Sequence, residues 1–487
     1  MAVSLSDKTL DDLPANVARP AYDRASLTSG IVHLGVGNFH RAHQAVYLDR
    51  LMNDGLAHDW AITGLGTRAP DTAVCDDLAA QDFLYTLVEQ SATRSEARVV
   101  GSITNVIAPG NRDAALAALT APATRIVSLT VTEGGYYLDG DGRFDADHPE
   151  IVAEARGEGA TVFGLVADAL RRRREVGVAP FTVMSCDNLP HNGAVCRATL
   201  TGVARLSDPS LADWIEGKVA CPNGMVDRIT PATGPAELER IVSEWGVADR
   251  RPVFCEDFIQ WVLEDDFPAG RPPLEEAGVE FVADVTAHEM MKLRILNAGH
   301  AIIAYPAALL GIEYAHEAME HPLVSAFLDK VERDEVIPHV PSIPGVDATH
   351  YYRRCAERFA NPKVADAIRR LCLDGSNRQP KFIVPTIRDR LDAGEPVEGL
   401  ALESALWCRY CFGEDERGET IEPNDPHWDM LTERAREARD RPEAWLGMDG
   451  VYGDVGSAPV FREAFARALG SVWRDGTAKA LQAYIGG

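Results

Sequence analysis

Positive charge is in short supply in this sequence. Its 487 residues carry 48 Lys and Arg against 74 Asp and Glu, a formal charge of -26. That imbalance excludes a general affinity for nucleic acid or for anionic membrane, so an anionic ligand has to be met by a local basic pocket. Long apolar runs are also missing. The longest, Ala301 to Ile312, is too short to span a bilayer, and Met1 to Pro14 alternates polar and acidic residues without an apolar core of signal-peptide length. There is no spacing typical of a disulfide scaffold. The nine cysteines, Cys75, Cys186, Cys196, Cys221, Cys255, Cys355, Cys372, Cys408 and Cys411, are scattered, which leads us to expect reduced thiols and a cytoplasmic protein. Cys408 and Cys411 make a single C-x-x-C with no second pair to complete a zinc site, and packing is the expected role. Internal repeats and low-complexity segments are lacking too, although Gly413 to Arg441 is rich in charge and reads as a solvated loop and helix.

What is present is the composition of a folded chain, 46% hydrophobic and 25% charged, long enough for two to four domains. Gly30 to Gly37 reads as a buried strand running into a glycine turn, and Phe39 to Leu56 has helical spacing. Strand, glycine turn and helix open a dinucleotide-binding βαβ unit, with Gly35 and Gly37 at the first two glycine positions and His40 at the third. A second strand, Trp60 to Gly66, leads to Arg68 and Asp71. A basic and an acidic residue there leave NAD and NADP both open.

Further strands are expected at Phe83 to Glu89, Arg98 to Ile103, Arg125 to Val131 and Phe181 to Ser185, with helices at Arg112 to Leu119 and Thr161 to Val176. Two of the strands end in polar stretches, Thr132-Glu133-Gly134-Gly135-Tyr136 and Cys186-Asp187-Asn188-Leu189-Pro190-His191-Asn192-Gly193. In open α/β sheets ligands bind at the carboxyl edge, so these stretches and the glycine turn share a crevice. Arg251 to Cys255 and Val279 to Val282 read as late strands completing that sheet, and Pro222 to Pro231 as irregular chain. From Thr286 onward the pattern is helical, which divides the chain into 1–284 and 285–487.

One helix in the second part has unusual chemistry. At about 100° per residue, Glu289, His300 and Asn297 lie about 60°, 80° and 140° from Lys292, among Met290, Met291, Ile295 and Leu296. A base, an amide, an imidazole and a carboxylate on one side suit the wall of a polar pocket. Arg294, about 200° from Lys292, should point away and serve packing.

The motifs taken together resemble the polyol-specific long-chain dehydrogenase/reductase family over essentially the whole chain. The resemblance rests on Gly30-x-Val32-His33-x-Gly35-Val36-Gly37-x-Phe39-His40-Arg41-Ala42-His43-Gln44, the two polar stretches, Val226-Asp227-Arg228-Ile229-Thr230-Pro231 and Lys292-x4-Asn297-x2-His300. It implies an α/β fold, with an N-terminal Rossmann-type dinucleotide-binding domain followed by a mostly α-helical C-terminal domain. It also implies Lys292 as general base, Asn188 and Asn297 as amides holding the reacting oxygen, His300 as substrate positioner and Glu289 as proton outlet. Val226, Asp227, Arg370 and Arg378 are the implied substrate contacts, and Gly35, Gly37, Asn38, Phe39, Arg68, Asp71 and Glu133 the cofactor contacts. The expected reaction is metal-independent, NAD(P)-dependent oxidation of D-mannitol to D-fructose, with D-arabinitol and D-sorbitol as further substrates. A hexuronate reductase is the alternative, and Asp227 argues against it because a carboxylate repels an anionic substrate. A non-catalytic nucleotide-binding protein is a third reading. His40 and His43, at i and i+3, lack a cysteine or carboxylate partner in a zinc pattern and are read as packing. The expected assembly is a monomer or small homo-oligomer.

Overall fold

A computed structural model describes residues 2–140 and 142–487. The chain forms two compact units, Met1–Thr286 and Ala287–Gly487. The first is built on a parallel sheet of five strands: β1 (Ser29–Leu34), β2 (Ala61–Leu65), β3 (Ile103–Ile107), β4 (Ile126–Leu129) and β5 (Thr182–Ser185), in the order β3-β2-β1-β4-β5. β1, β2, β4 and β5 are buried almost residue by residue, without alternation, as expected where helices cover both faces of a sheet, while the edge strand β3 is only partly buried. Val32, Leu34, Val127, Leu129 and Val183 are buried in one cluster with Leu116, Leu119, Phe163 and Leu170, while Ile31, Ile62 and Ile126 join another with Ala45, Leu48 and Leu51. Strand order reverses at β1, so the turns after β1 and β4 flank the switch point where such sheets take their ligands.

Four expectations about this unit need correction. The strand expected over Arg98 to Ile103 falls on two, Ser95–Val100 and Ile103–Ile107, parted at Gly101 and Ser102 and belonging to different sheets. The late strands do not complete the sheet. Val253–Glu256 pairs in parallel with Tyr85–Gln90, whose antiparallel partner is Ser95–Val100, in a separate four-stranded sheet. Glu280–Val282 joins a three-stranded sheet with Gln260–Glu264 and Gly224–Asp227. Gly224–Asp227 is thus a buried strand, where irregular chain was expected. Its pairing is with Gln260–Glu264, distant in sequence, so no local period betrays it. Lastly, the first helix is two, Asn38–Ala42 and Gln44–Asn53, broken at His43 with φ -123 and ψ -93.

The second unit is helical. Ala298–Leu309, Glu398–Cys411 and Pro459–Asp475 carry its core, with Trp407, Trp445 and Tyr452 buried; the Trp407 and Trp445 rings lie 4.7 Å apart, edge to face. Cys408 and Cys411 belong to this core, and all nine cysteines are buried and outside any disulfide. Between Ala298–Leu309 and Glu398–Cys411 run the short helices Ile368–Leu371, Gly375–Phe382 and Val384–Asp392. No helix among the described residues is long and apolar enough to cross a membrane.

Candidate active site

In the first unit the candidate residues stand at the carboxyl ends of β1, β2, β4 and β5. The turn after β1 needs glycine at its first position. Gly35 has φ +102, and a Cβ there would meet the Thr130 carbonyl oxygen at 2.2 Å. A Cβ on Gly37 would meet nothing within 4 Å, so its backbone borders open space. That is the cradle a pyrophosphate requires, a tight turn with bare backbone beside it. Asn38 Oδ1 accepts from Arg41 Nη2 at 2.7 Å, and the Phe39 ring stacks on His43 with centroids 5.0 Å apart. Past β2, Asp71 Oδ2 accepts the backbone N–H groups of Thr67 and Arg68, each at 2.9 Å, and its other oxygen lies 3.8 Å from the exposed Arg68 guanidinium. The acidic residue therefore shapes the loop that carries the basic one.

Beyond β4 and β5 a carboxylate that sequence reasoning quoted without a role holds two loops together. Asp187 Oδ2 accepts from the Val131 N–H at 3.0 Å and the Tyr136 hydroxyl at 2.7 Å, and its Oδ1 from the Thr132 N–H at 2.9 Å. Burial pushes its carboxyl pKa up, and these donors oppose the shift. Thr132 sits at φ +67, rare for a β-branched residue, and Glu133 opens the following 3-10 turn, Glu133–Tyr136. Asn192 fixes the far end of the second loop, donating to the carbonyls of Asp187 (3.1 Å) and Gly224 (2.7 Å) and accepting from the Gly224 N–H. Asn188 lies exposed between these two anchors. The same bonds tie its loop to the strand bearing Val226 and Asp227, both buried. Arg228, next along, is also buried, donating to Glu89 at 2.5 Å and to the Glu256 carbonyl.

His40 and His43 pack as expected. His40 stacks on His33 with centroids 3.4 Å apart, and His43 meets Tyr47 and Trp261 edge-on. Among the described residues no group of three or more His, Cys, Asp or Glu gathers as a metal site.

In the second unit Glu289 ends up on the α-helix Thr286–Met291, Lys292 and Asn297 bound a π-helical segment, Lys292–Asn297, and His300 follows on Ala298–Leu309. This corrects the helical-wheel geometry. A π-turn closes i→i+5, so Asn297 comes round toward Lys292 where an α-helix leaves them about 140° apart. Lys292 is 7% exposed and Glu289 6%. Arg294 is buried away from this chemistry, donating to the His339 carbonyl at 2.5 Å and pairing with Asp389 at 2.6 Å.

His300 lies against Phe359, ring centroids 4.2 Å apart, and among the described residues its Nε2 has no hydrogen-bond partner. Burial drives its pKa well below the usual imidazole value, and the cations Arg370, Arg358, Arg378 and Lys292 press it further down. The ring is neutral, able to accept or donate one hydrogen bond. That electrostatic grouping gathers three of the sequence-predicted cations around His300 and adds Arg358, a buried arginine that no motif marked. Arg370 is held by a bidentate pair with Asp366, and Arg378 donates to the Leu371 carbonyl at 3.3 Å.

Comparison with known proteins matches the chain in two blocks. The profile of the mannitol dehydrogenase Rossmann domain covers residues 29–276, and that of the mannitol dehydrogenase C-terminal domain covers 284–473. A mannitol 2-dehydrogenase of Cereibacter sphaeroides is 55% identical over 473 residues, 96% of this chain and 99% of that one. Among solved structures, the Pseudomonas fluorescens mannitol 2-dehydrogenase in ternary complex with NAD and D-mannitol superposes with a TM-score of 0.92 at 42% identity, covering 99% of both chains. A D-sorbitol dehydrogenase in substrate-free form gives a TM-score of 0.88 at 36% identity, covering 98% of this chain and 100% of the other.

Proposed function

The chain belongs to the mannitol dehydrogenase family, and from that premise we propose that it catalyses the reversible NAD-dependent oxidation of D-mannitol to D-fructose. The observation that carries the reading is the 42% identity, over 99% of both chains, to a structure holding NAD and D-mannitol together. The Gly35 turn with open space beside Gly37 suits the dinucleotide. NAD, when bound, supplies the nicotinamide carbon that accepts the hydride.

The chain's own residues handle the proton and the oxygen. Lys292 is the proposed general base, taking the hydroxyl proton while its amine is neutral. Asn188 and Asn297 are the proposed amide donors to the alkoxide-like oxygen; an amide does not titrate, so it stabilises that oxygen at any working pH. His300, neutral and cushioned on Phe359, orients the substrate by a hydrogen bond from or to Nε2. Glu289 passes the proton from Lys292 to solvent. Asp227 and the Val226 backbone, with Arg370 and Arg378, contact the distal hydroxyls. Gly35, Gly37, Asn38, Phe39, Arg68, Asp71 and Glu133 are the proposed cofactor contacts. Nine buried cysteines outside any disulfide suit a reducing compartment, so we place the reaction in the cytoplasm.

Following absorbance at the reduced-nicotinamide band tests this. NAD with D-mannitol, and NADH with D-fructose, should turn over. Turnover of fructuronate without fructose would replace the reading by a uronate reductase, and no turnover with any polyol or ketose would leave a nucleotide-binding protein.

A further inference from the structure

The carbonyl of Gly35 receives more donors than a turn needs. The Gly37 N–H closes a three-residue turn on it at 2.7 Å. From β1 the His33 ring brings Nε2 to 3.0 Å of the same oxygen, and from beyond β4 the Thr130 hydroxyl donates to it at 2.8 Å. His33 Nε2 and Thr130 Oγ1 are themselves 2.9 Å apart. On the other side of the ring, Nδ1 lies 2.7 Å from Ser128 Oγ, whose neighbour at 2.8 Å is the amide oxygen Oε1 of Gln44. All of these side chains except Thr130 are fully buried, and the His40 ring lies flat on His33.

A carbonyl can only accept, so the proton of the imidazole belongs on Nε2 and points at Gly35. Nδ1 then accepts from Ser128. Rotating the Gln44 amide by half a turn exchanges Oε1 for the NH2 beside Ser128 Oγ and completes a chain from the helix Gln44–Asn53 through β4 and β1 to the glycine turn. Burial holds the His33 pKa down at about 3, so the ring stays neutral through the physiological range.

We propose that His33, with Thr130, is a positioning residue for the dinucleotide: together they pin the Gly35 carbonyl and hold the turn in its cofactor-receiving shape before the cofactor arrives. Pre-organisation of this kind acts on binding and leaves the chemical step alone. The inference rests on the NAD-dependent function proposed above, and its test separates the two.

NAD binding is measured by titration calorimetry on the full chain, alongside kcat and KM for each substrate. His33→Leu should weaken NAD binding about tenfold, the scale of one buried hydrogen bond lost together with its partner's satisfaction. It should raise the KM for NAD in parallel while leaving kcat at saturating NAD and the KM for D-mannitol within about twofold. His33→Gln, whose amide nitrogen reaches the place of Nε2, should recover most of the affinity. Thr130→Val is nearly isosteric and keeps the question open to test even where His33→Leu does not fold; it should weaken NAD binding by several-fold. Wild-type affinity in both His33→Leu and Thr130→Val overturns the inference, as does a fall in kcat with NAD affinity unchanged. A wild-type chain that binds no NAD overturns the proposed function itself.

Discussion

In the first unit the buried Asp187 carboxylate accepts from two backbone N–H groups and a tyrosine hydroxyl, whereas in the second unit the buried Glu332 carboxyl has no hydrogen-bond partner on either oxygen among the described residues. Both acids are raised in pKa by burial, Glu332 with nothing opposing it. A satisfied carboxylate is a clamp; an unsatisfied one is a neutral acid kept at a cost of about 1–3 kcal/mol. Glu332 begins a second π segment, Glu332–Val336, and a Cβ on Gly299 would stand 3.2 Å from both its Oε1 and the Phe359 ring edge. The two units thus treat their buried acids differently. The first uses one to pin loops by hydrogen bonds; in the second the π segment is anchored by Arg294, on the His339 carbonyl and Asp389, Glu332 packs without a hydrogen bond among the described residues, and Glu335 clamps the N–H groups of Gly399 and Leu400.

The largest test of this contrast lies in the chemistry. Lys292→Ala should lower kcat roughly a hundred- to ten-thousand-fold while NAD affinity, a property of the first unit, stays within about twofold. Near-normal turnover at neutral pH would remove Lys292 from the base role. Next, Asn188→Ala and Asn297→Ala should each cost about 3 kcal/mol in transition-state stabilisation, read as kcat/KM. A large loss for one and none for the other would mean that a single amide holds the oxygen.

The acids themselves should respond with opposite signs. Asp187→Asn puts an NH2 against donors and should lower stability to urea by about 2 kcal/mol. Glu332→Gln should raise it at neutral pH. The sign follows from linkage: the folded-state pKa of Glu332 lies above its ordinary value of 4.5, so its contribution to stability is full below pH 4.5 and is lost as pH rises. The loss runs at about 1.4 kcal/mol per pH unit until the folded pKa is reached. Glu332→Gln should flatten that slope, and an unchanged slope would show that the carboxyl is ionised in the fold. The smallest effect belongs to Asp389→Asn, which removes the half-exposed partner of Arg294; under about 1 kcal/mol of stability and no change in kcat are expected.

The difference between the units also governs what could be read from sequence. Four of the five parallel strands and the motifs at their ends were legible because buried apolar stretches followed by Gly, Asp and Asn mark strand edges locally; the fifth, Ile103–Ile107, is interrupted by Thr104 and Asn105 and was missed. The Gly224–Asp227 strand was not, since its partner lies more than thirty residues on. Helical spacing brought Lys292, Asn297 and His300 into view, yet a wheel of constant pitch misplaced Asn297 because a π segment leaves no signature in residue type. Arg294 was expected to pack rather than react, and its ion pair with Asp389 accounts for it. Arg358 belongs to no motif, and Asn192 stands in one without a role, because its bonds to Gly224 reach 32 residues along the chain.

The burial of every cysteine equips the molecule with its own labels. Five thiols (Cys75, Cys186, Cys196, Cys221 and Cys255) lie in the first unit and four (Cys355, Cys372, Cys408 and Cys411) in the second. A disulfide-exchange dye would find none of them at the surface of the folded chain, and burial raises the pKa of Cys186 and lifts those of Cys255 and Cys372 to about 12, withholding the reactive thiolate. Each thiol that reacts therefore timestamps an opening event, and peptide mapping of the labelled sites would show which half of the chain loosens first.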